Sequence, residues 1–314
     1  MQIIIQLFLL VLGFLLLIKG ADKFVEGSSK IADKFHIPQL VIGLTIVAFG
    51  TSAPEAAVSI TAALNKNADI AISNVLGSNI FNILVIIGIT SIILPLTIQK
   101  STLKFELPYV ILTTLVLLLL GLDGTLGIVD GIILWVMFII FFIYLIRLSK
   151  SGSAQMDDVP EASANDKIPI LLLITVLGMA AIIIGSDITV DSATKIAEIL
   201  GMSPRFIGLT IVAFGTSLPE LITSITAAKK GKDDIAVGNI VGSNLFNILF
   251  VLSTTALITP VPFAKSFIID AIVAIFAAVL LLLCVIRDRK VGKNGGIIMI
   301  ISYVAYFAYL VFLK

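Results

Sequence analysis

The chain reads as an all-α polytopic membrane protein: ten transmembrane helices arranged as two inverted-topology five-helix repeats. Three observations predict this. Of 314 residues, 59% are hydrophobic and only 13% charged, about half the roughly 25% usual in soluble proteins. The mean hydropathy of +1.15 is spread over the whole length, which excludes a single-anchor protein. The second half also repeats the first at a constant offset of 165 residues. With 21 basic against 20 acidic residues there is no net field to attract nucleic acid. One thiol, Cys284, cannot form an internal disulfide, and His36 is the sole histidine, so no Cys/His cluster exists for zinc or a redox centre. Neither an organic cofactor nor enzymatic chemistry is expected.

Met1 to Ile18 lacks the basic start and small-residue cleavage site of a signal peptide and reads as a retained first span. Apolar runs of spanning length then place helices near 3–18, 38–64, 70–94, 106–122, 127–146, 168–186, 205–228, 235–259, 267–286 and 296–313. Gly121-Leu-Asp-Gly124 separates the fourth from the fifth. The one long polar stretch, Ser149 to Lys167, is a linker too short for a domain. The organisation is therefore a first five-helix repeat over 1–148, a cytoplasmic linker over 149–167 and a second five-helix repeat over 168–314.

The repeat is close in two places. Ile42-Gly-Leu-Thr-Ile-Val-Ala-Phe-Gly-Thr-Ser-Ala-Pro-Glu55 returns as Ile207-Gly-Leu-Thr-Ile-Val-Ala-Phe-Gly-Thr-Ser-Leu-Pro-Glu220, matching at thirteen of fourteen positions. Asn74-Val-Leu-Gly-Ser-Asn-Ile-Phe-Asn82 returns as Asn239-Ile-Val-Gly-Ser-Asn-Leu-Phe-Asn247. Five is odd, so the second unit must enter the membrane from the opposite face, with a pseudo-two-fold axis in the membrane plane. Sixteen Lys/Arg fall on the side of the linker, and five (Lys66, Lys195, Arg205, Lys265, Lys314) fall on the other. That bias puts both termini outside and the linker in the cytoplasm of a cell membrane.

Deep inside the expected spans the reading finds two carboxylates, Glu55 and Glu220. A charge at bilayer depth costs at least about 2.5–3.5 kcal/mol, so each must be protonated, paired or facing an ion pathway. The Gly-Thr-Ser-x-Pro before each Glu predicts a broken helix whose freed carbonyls become ion ligands. Two blander readings compete. Ser52-x-x-Glu55 and Ser217-x-x-Glu220 are formally capping boxes, and Gly77-Ser78-Asn79 and Gly242-Ser243-Asn244 suit small-residue helix packing. Asp22, Asp69, Asp187 and Asp234 read as solvated residues at span ends, and Trp135 and the Phe residues as packing or lipid-facing groups. The polar groups at depth are all oxygen donors, which is hard-cation chemistry of the Ca²⁺ or Na⁺ kind and not that of zinc, copper or iron.

Paired Gly50-Thr-Ser-Ala-Pro-Glu55 and Gly215-Thr-Ser-Leu-Pro-Glu220, each followed by Gly-Ser-Asn-x-x-Asn, resemble the two alpha repeats of the cation/calcium antiporter superfamily, in particular its prokaryotic sodium/calcium exchanger branch. The resemblance covers essentially the whole chain. It implies a ten-helix exchanger in which Glu55 and Glu220 are calcium ligands that sodium shares. Thr51 and Thr216 would lend backbone carbonyls to calcium. Ser52, Ser78, Ser217, Ser243 and the carbonyls of Ala48 and Ala213 would serve flanking sodium sites, and Asn82 and Asn247 would complete the central shell. Some members carry Asp where this chain has Asn247, which puts a third titratable group and potassium dependence in question. Proton/calcium exchangers resemble Gly-Asn-x-x-Glu instead, which disfavours proton coupling. The expected function is Na⁺/Ca²⁺ antiport by alternating access, with H⁺/Ca²⁺ antiport and a cation channel as alternatives. The expected partners are the transported cations and the lipid bilayer, with no obligatory protein partner.

Overall fold

The computed structural model describes residues 2–150, 166–201 and 213–312. Most of the 149–167 linker, the start of the seventh expected span with Arg205, and Lys314 lie outside the described residues. The helices in chain order are α1 (Gln2–Phe35), α2 (Gln39–Thr51), α3 (Ala53–Leu64), α4 (Asp69–Ile93), α5 (Thr102–Asp123), α6 (Ile128–Lys150) and α7 (Ile168–Ile199). They continue with α8 (Ala213–Gly215) and α9 (Leu218–Lys229), then α10 (Asp233–Ile258), α11 (Lys265–Val285) and α12 (Lys293–Phe312). Among the described residues eight single helices are long and apolar enough to cross a bilayer, and a ninth span is reached if α2 and α3, bent by 51° at their junction, are taken as one.

The bend falls at Ser52, which leaves the helical region at φ −85°, ψ 9°. Pro54 follows in the first turn of α3, where its missing N–H is one the helix could not have used. Gly124 takes φ +95°, a conformation open to glycine at no steric cost, and turns the chain from α5 into α6. Two short antiparallel ladders join distant connections: β1 (Leu96–Thr97) pairs with β4 (Lys290–Val291), and β2 (Thr125–Leu126) with β3 (Val261–Pro262).

Two helices outrun their expected spans. α1 has 34 residues and α7 has 32, against expectations of 3–18 and 168–186. The reason is mutual packing. Gly20, Ala21, Phe24, Val25 and Gly27 continue a buried face on α1, so Lys19, Lys23, Lys30 and Lys34 ride on that helix and not in a connection, as Lys195 does on α7. A Cβ on Gly20 would stand 2.8 Å from the Gly178 carbonyl, and one on Gly185 2.8 Å from the Gly13 carbonyl. The two helices are therefore antiparallel and meet backbone to backbone.

α4 and α10 lie innermost, whereas α1, α6 and α12 leave most of their apolar surface outward, as lipid-facing helices do. α10 crosses α2 at Gly43 and Gly238, and a Cβ on Gly242 would come within 2.7 Å of the Leu44 carbonyl. The expectation of only two deep carboxylates is corrected by Glu106 and Asp270, both buried. α5 and α11 start before those residues, so each acid falls within a helix. Each is met by a tyrosine from the next helix: Tyr144 donates to Glu106, and Tyr306 to Asp270 Oδ1 at 2.9 Å.

Candidate functional site

Glu55 lies in the first turn of α3 and Glu220 in the first turn of α9. Helix N-termini carry partial positive charge from unsatisfied N–H groups, which favours a carboxylate there. Both side chains are 1% exposed, and they sit within electrostatic reach of each other. Among the described residues no lysine or arginine is paired with either.

The serines ahead of them do not cap their own helices, which removes the capping-box reading. Ser52 Oγ instead donates across the molecule to Glu220 Oε1 at 2.8 Å, and Ser217 Oγ approaches Glu55 Oε1 at 3.5 Å. Each carboxylate is thus addressed by the hydroxyl that precedes the other. The second oxygens, Glu55 Oε2 and Glu220 Oε2, are buried with no hydrogen-bond partner.

Asn82 and Asn247 open π-helical turns inside α4 and α10, at Asn82–Ile87 and Asn247–Leu252. Such widened turns recur at functional sites. Asn82 Nδ2 donates to Asn244 Oδ1 at 3.0 Å, and Asn247 Nδ2 to Asn79 Oδ1 at 3.2 Å. Asn79 Nδ2 and Asn244 Nδ2 each donate to the other's backbone carbonyl at 3.1 Å. Asn82 Nδ2 and Asn247 Nδ2 each take part in this ring, while both Oδ1 atoms are buried and unpartnered.

Thr51 Oγ1 donates to Asn239 Oδ1 at 2.9 Å and approaches the Ala48 carbonyl at 3.3 Å. Ser243 Oγ reaches the same Ala48 carbonyl at 3.4 Å. Ser78 is buried on α4, Thr216 is half-buried between α8 and α9, and Ala213 opens α8. Among the described residues these three are not joined to the set by the contacts above.

Two asparagines outside the expected set also reach it. Asn74 Nδ2 contacts the Glu55 carbonyl at 3.3 Å and Ser59 Oγ at 3.0 Å, and Asn239 Nδ2 contacts the Glu220 carbonyl at 3.4 Å and Ser224 Oγ at 3.0 Å. Their recurrence at the repeat offset was the available signal. Asn79 and Asn244, read as packing, orient the amides of Asn247 and Asn82. Phe49 stacks on Phe246 with centroids 4.5 Å apart, and Phe81 on Phe214 at 5.1 Å.

Four acceptor oxygens without partners, two of them on carboxylates, cannot be left bare at this depth without a cost of several kcal/mol. An oxygen-only set fits a hard cation. Among the described residues no cluster of three His, Cys, Asp or Glu exists, so neutral oxygens must complete any shell.

Comparison with known proteins places this geometry in context. The sequence profile described as "Sodium/calcium exchanger protein" matches residues 5–147 and again 170–312. The "Inner membrane protein YrbG" of Escherichia coli is 36% identical over 98% of this chain and 97% of its own length. The "Sodium/calcium exchanger MaX1" of Methanosarcina acetivorans is 30% identical over 99% of this chain and 100% of its own. A solved structure of the sodium-calcium exchanger NCX_Mj, soaked with Na⁺ and Sr²⁺, superposes with a TM-score of 0.84 at 31% identity, covering 99% of this chain and 100% of that one. The chain belongs to the sodium/calcium exchanger protein family.

Proposed function

We propose that the chain exchanges Na⁺ for Ca²⁺ across the cell membrane by alternating access. It does so as ten helices in two inverted five-helix repeats, 1–148 and 168–314, with both termini outside and the 149–167 linker in the cytoplasm. The observation that carries the reading is the set of four buried, unpartnered oxygens: Glu55 Oε2, Glu220 Oε2, Asn82 Oδ1 and Asn247 Oδ1. Two carboxylates and two amide oxygens give a formal charge of −2, which one Ca²⁺ or two monovalent cations can neutralise. In this reading Ca²⁺ sits among those four groups with backbone oxygens of Thr51 and Thr216. Na⁺ takes Ser52, Ser217, Ser78, Ser243 and the carbonyls of Ala48 and Ala213 as well as the shared glutamates. The exchanger name carried by MaX1 and NCX_Mj and the inner-membrane description of YrbG support the ions and the location.

The test is ⁴⁵Ca²⁺ uptake into proteoliposomes with and without an imposed Na⁺ gradient. Uptake that requires outward Na⁺ movement is expected. Uptake that ignores Na⁺ and follows a pH gradient would transfer the assignment to proton coupling, and flux down the Ca²⁺ gradient with no countertransported ion would make the protein a channel.

A further inference from the structure

The two halves of the site are equivalent in sequence but not in bonding. Thr51 Oγ1 donates to Asn239 Oδ1 at 2.9 Å, a bond from the first repeat to the second, and both residues are buried. The repeat offset makes Thr216 and Asn74 their counterparts. Asn74 Nδ2 makes the same local donations as Asn239 Nδ2, to Ser59 Oγ at 3.0 Å and to the Glu55 carbonyl at 3.3 Å, so its amide is set in the same way. Among the described residues Thr216 nevertheless makes no hydrogen bond to Asn74, and both are half-buried.

Packing around the two pairs differs in the same direction. Gly238 and Gly242 of α10 are buried against Gly43 and Leu44 of α2, whereas their counterparts on α4, Ser73 and Gly77, are exposed. Thr223 of α9 is 0% exposed, and its counterpart on α3, Val58, is 42% exposed. The Thr51–Asn239 side is closed and the Thr216–Asn74 side is open. Asn239 lies within about two turns of the start of α10, and Asn74 within about two turns of the start of α4. In the topology proposed above, the connections that precede those two helices lie on opposite faces of the membrane, the α9–α10 connection in the cytoplasm.

Two halves built from one repeated sequence can exchange arrangements, each taking the bonding that the other shows. We propose that Thr51 and Asn239 form a latch that closes the cytoplasmic passage to the ions, and that Thr216 and Asn74 form its counterpart for the outer passage, each made only while the other is broken. The inference rests on the exchanger function and topology proposed above. Asn74 and Asn239 are positioning residues in it, outside the ligand set. The latch is coupled to the load, because that reading gives the backbone oxygens of Thr51 and Thr216 to Ca²⁺, and the two asparagine amides contact the carbonyls of Glu55 and Glu220.

The test reads which passage is open. In a Cys284→Ser background, Thr223→Cys reports the cytoplasmic passage and Ser73→Cys the outer one, each exposed to an impermeant maleimide on one face of sealed vesicles free of Na⁺ and Ca²⁺. With the cytoplasmic latch made, Thr223→Cys should react slowly, and only from the cytoplasm. Thr51→Val keeps the side-chain shape and the backbone carbonyl and removes the hydroxyl, so that rate should rise about fivefold, the population shift that one hydrogen bond supplies. Thr216→Val removes the opposite latch and should lower the rate about fivefold. Thr51→Ser restores the hydroxyl and should return the rate to within about twofold of wild type. Ser73→Cys should react from outside in every variant, which shows that each is folded and inserted. Because Thr216 is half-buried, Thr216→Val carries the test even where Thr51→Val fails to insert. A hydroxyl that only supports the fold would move both valine variants in the same direction. Responses of one sign, an unchanged rate in Thr216→Val, no recovery with Thr51→Ser, or an unreactive Ser73→Cys would each overturn the latch. Opposite responses obtained with reagent on the outer face would uphold the latch and overturn the proposed topology, and no readout depends on which ions the protein exchanges.

Discussion

Replacing one glutamate by glutamine removes the same charge from either half of the proposed site, yet the two substitutions are expected to differ. Both lower the formal charge from −2 to −1. Removing one partner of a buried charge interaction costs about 3–5 kcal/mol, which is on the order of 10²–10³-fold or more in Ca²⁺ affinity. The asymmetry comes from the serines. At position 220 the amide oxygen still accepts from Ser52, whose hydroxyl now lies 2.8 Å from Glu220 Oε1. That bond aims the amide NH₂ where Oε2 stood, a donor directed at the cation. At position 55 the corresponding Ser217 contact is long, 3.5 Å, so the amide can turn its oxygen to the ion. A hydrogen bond of about 1 kcal/mol sets the difference: Glu220→Gln should bind Ca²⁺ about fivefold more weakly than Glu55→Gln. Adding Ser52→Ala frees the amide to flip, so Ser52→Ala/Glu220→Gln should recover part of the loss that Glu220→Gln alone shows. Calcium titration by calorimetry and Na⁺-driven ⁴⁵Ca²⁺ uptake per reconstituted molecule are the assays. Wild-type uptake by both glutamine variants would refute the paired-carboxylate site, and a double variant no better than Glu220→Gln would refute the serine argument.

Asn79→Ala strips the partner from Asn247 Nδ2 and the donor from the Asn244 carbonyl; leaving buried groups unpaired costs about 1–3 kcal/mol each, so both the thermal midpoint and Ca²⁺ affinity should fall, read by unfolding and titration on the same preparation. Gly178→Leu would place Cβ 2.6 Å from the Phe24 amide nitrogen, forcing α1 and α7 apart, and should sharply reduce membrane yield, whereas Gly292→Ala, with open space around its Cβ, should express normally. Tyr144→Phe removes the donor to buried Glu106, whose other oxygen is already unpartnered, and should lower stability by about 1–3 kcal/mol in denaturant unfolding while leaving Ca²⁺ affinity unchanged. In a Cys284→Ser background, Ser153→Cys should react with an impermeant thiol reagent only from the cytoplasm and Lys314→Cys only from outside; reaction from a single side would refute the proposed topology.

What the sequence made legible was composition and pairing. An apolar chain with a repeated Gly-Thr-Ser-x-Pro-Glu announces membrane helices and a break, and the break appears at Ser52 because Pro54 suits only a helix start. The repeat also announces which residues are equivalent, since identical motifs at one offset fold into equivalent places. Hydrogen-bond direction was not legible. Ser52-x-x-Glu55 has the same letters whether the hydroxyl turns back to its own helix or across to Glu220, and only the approach of α3 to α9 decides between them. Depth was not legible either. Glu106 and Asp270 were passed over because a lone acid in an apolar run does not show whether a tyrosine of the next helix reaches it. The length of α1 was hidden as well, because one face stays buried against α7 while the other carries lysines. The division of labour among four asparagines follows from this limit. Asn79 and Asn244 spend their amides on each other's backbone and on the neighbouring amides, while Asn82 Oδ1 and Asn247 Oδ1 stay buried and unpartnered. The proposed cation site therefore draws on residues outside its own ligand set, and a sequence pattern records such residues only as repetition.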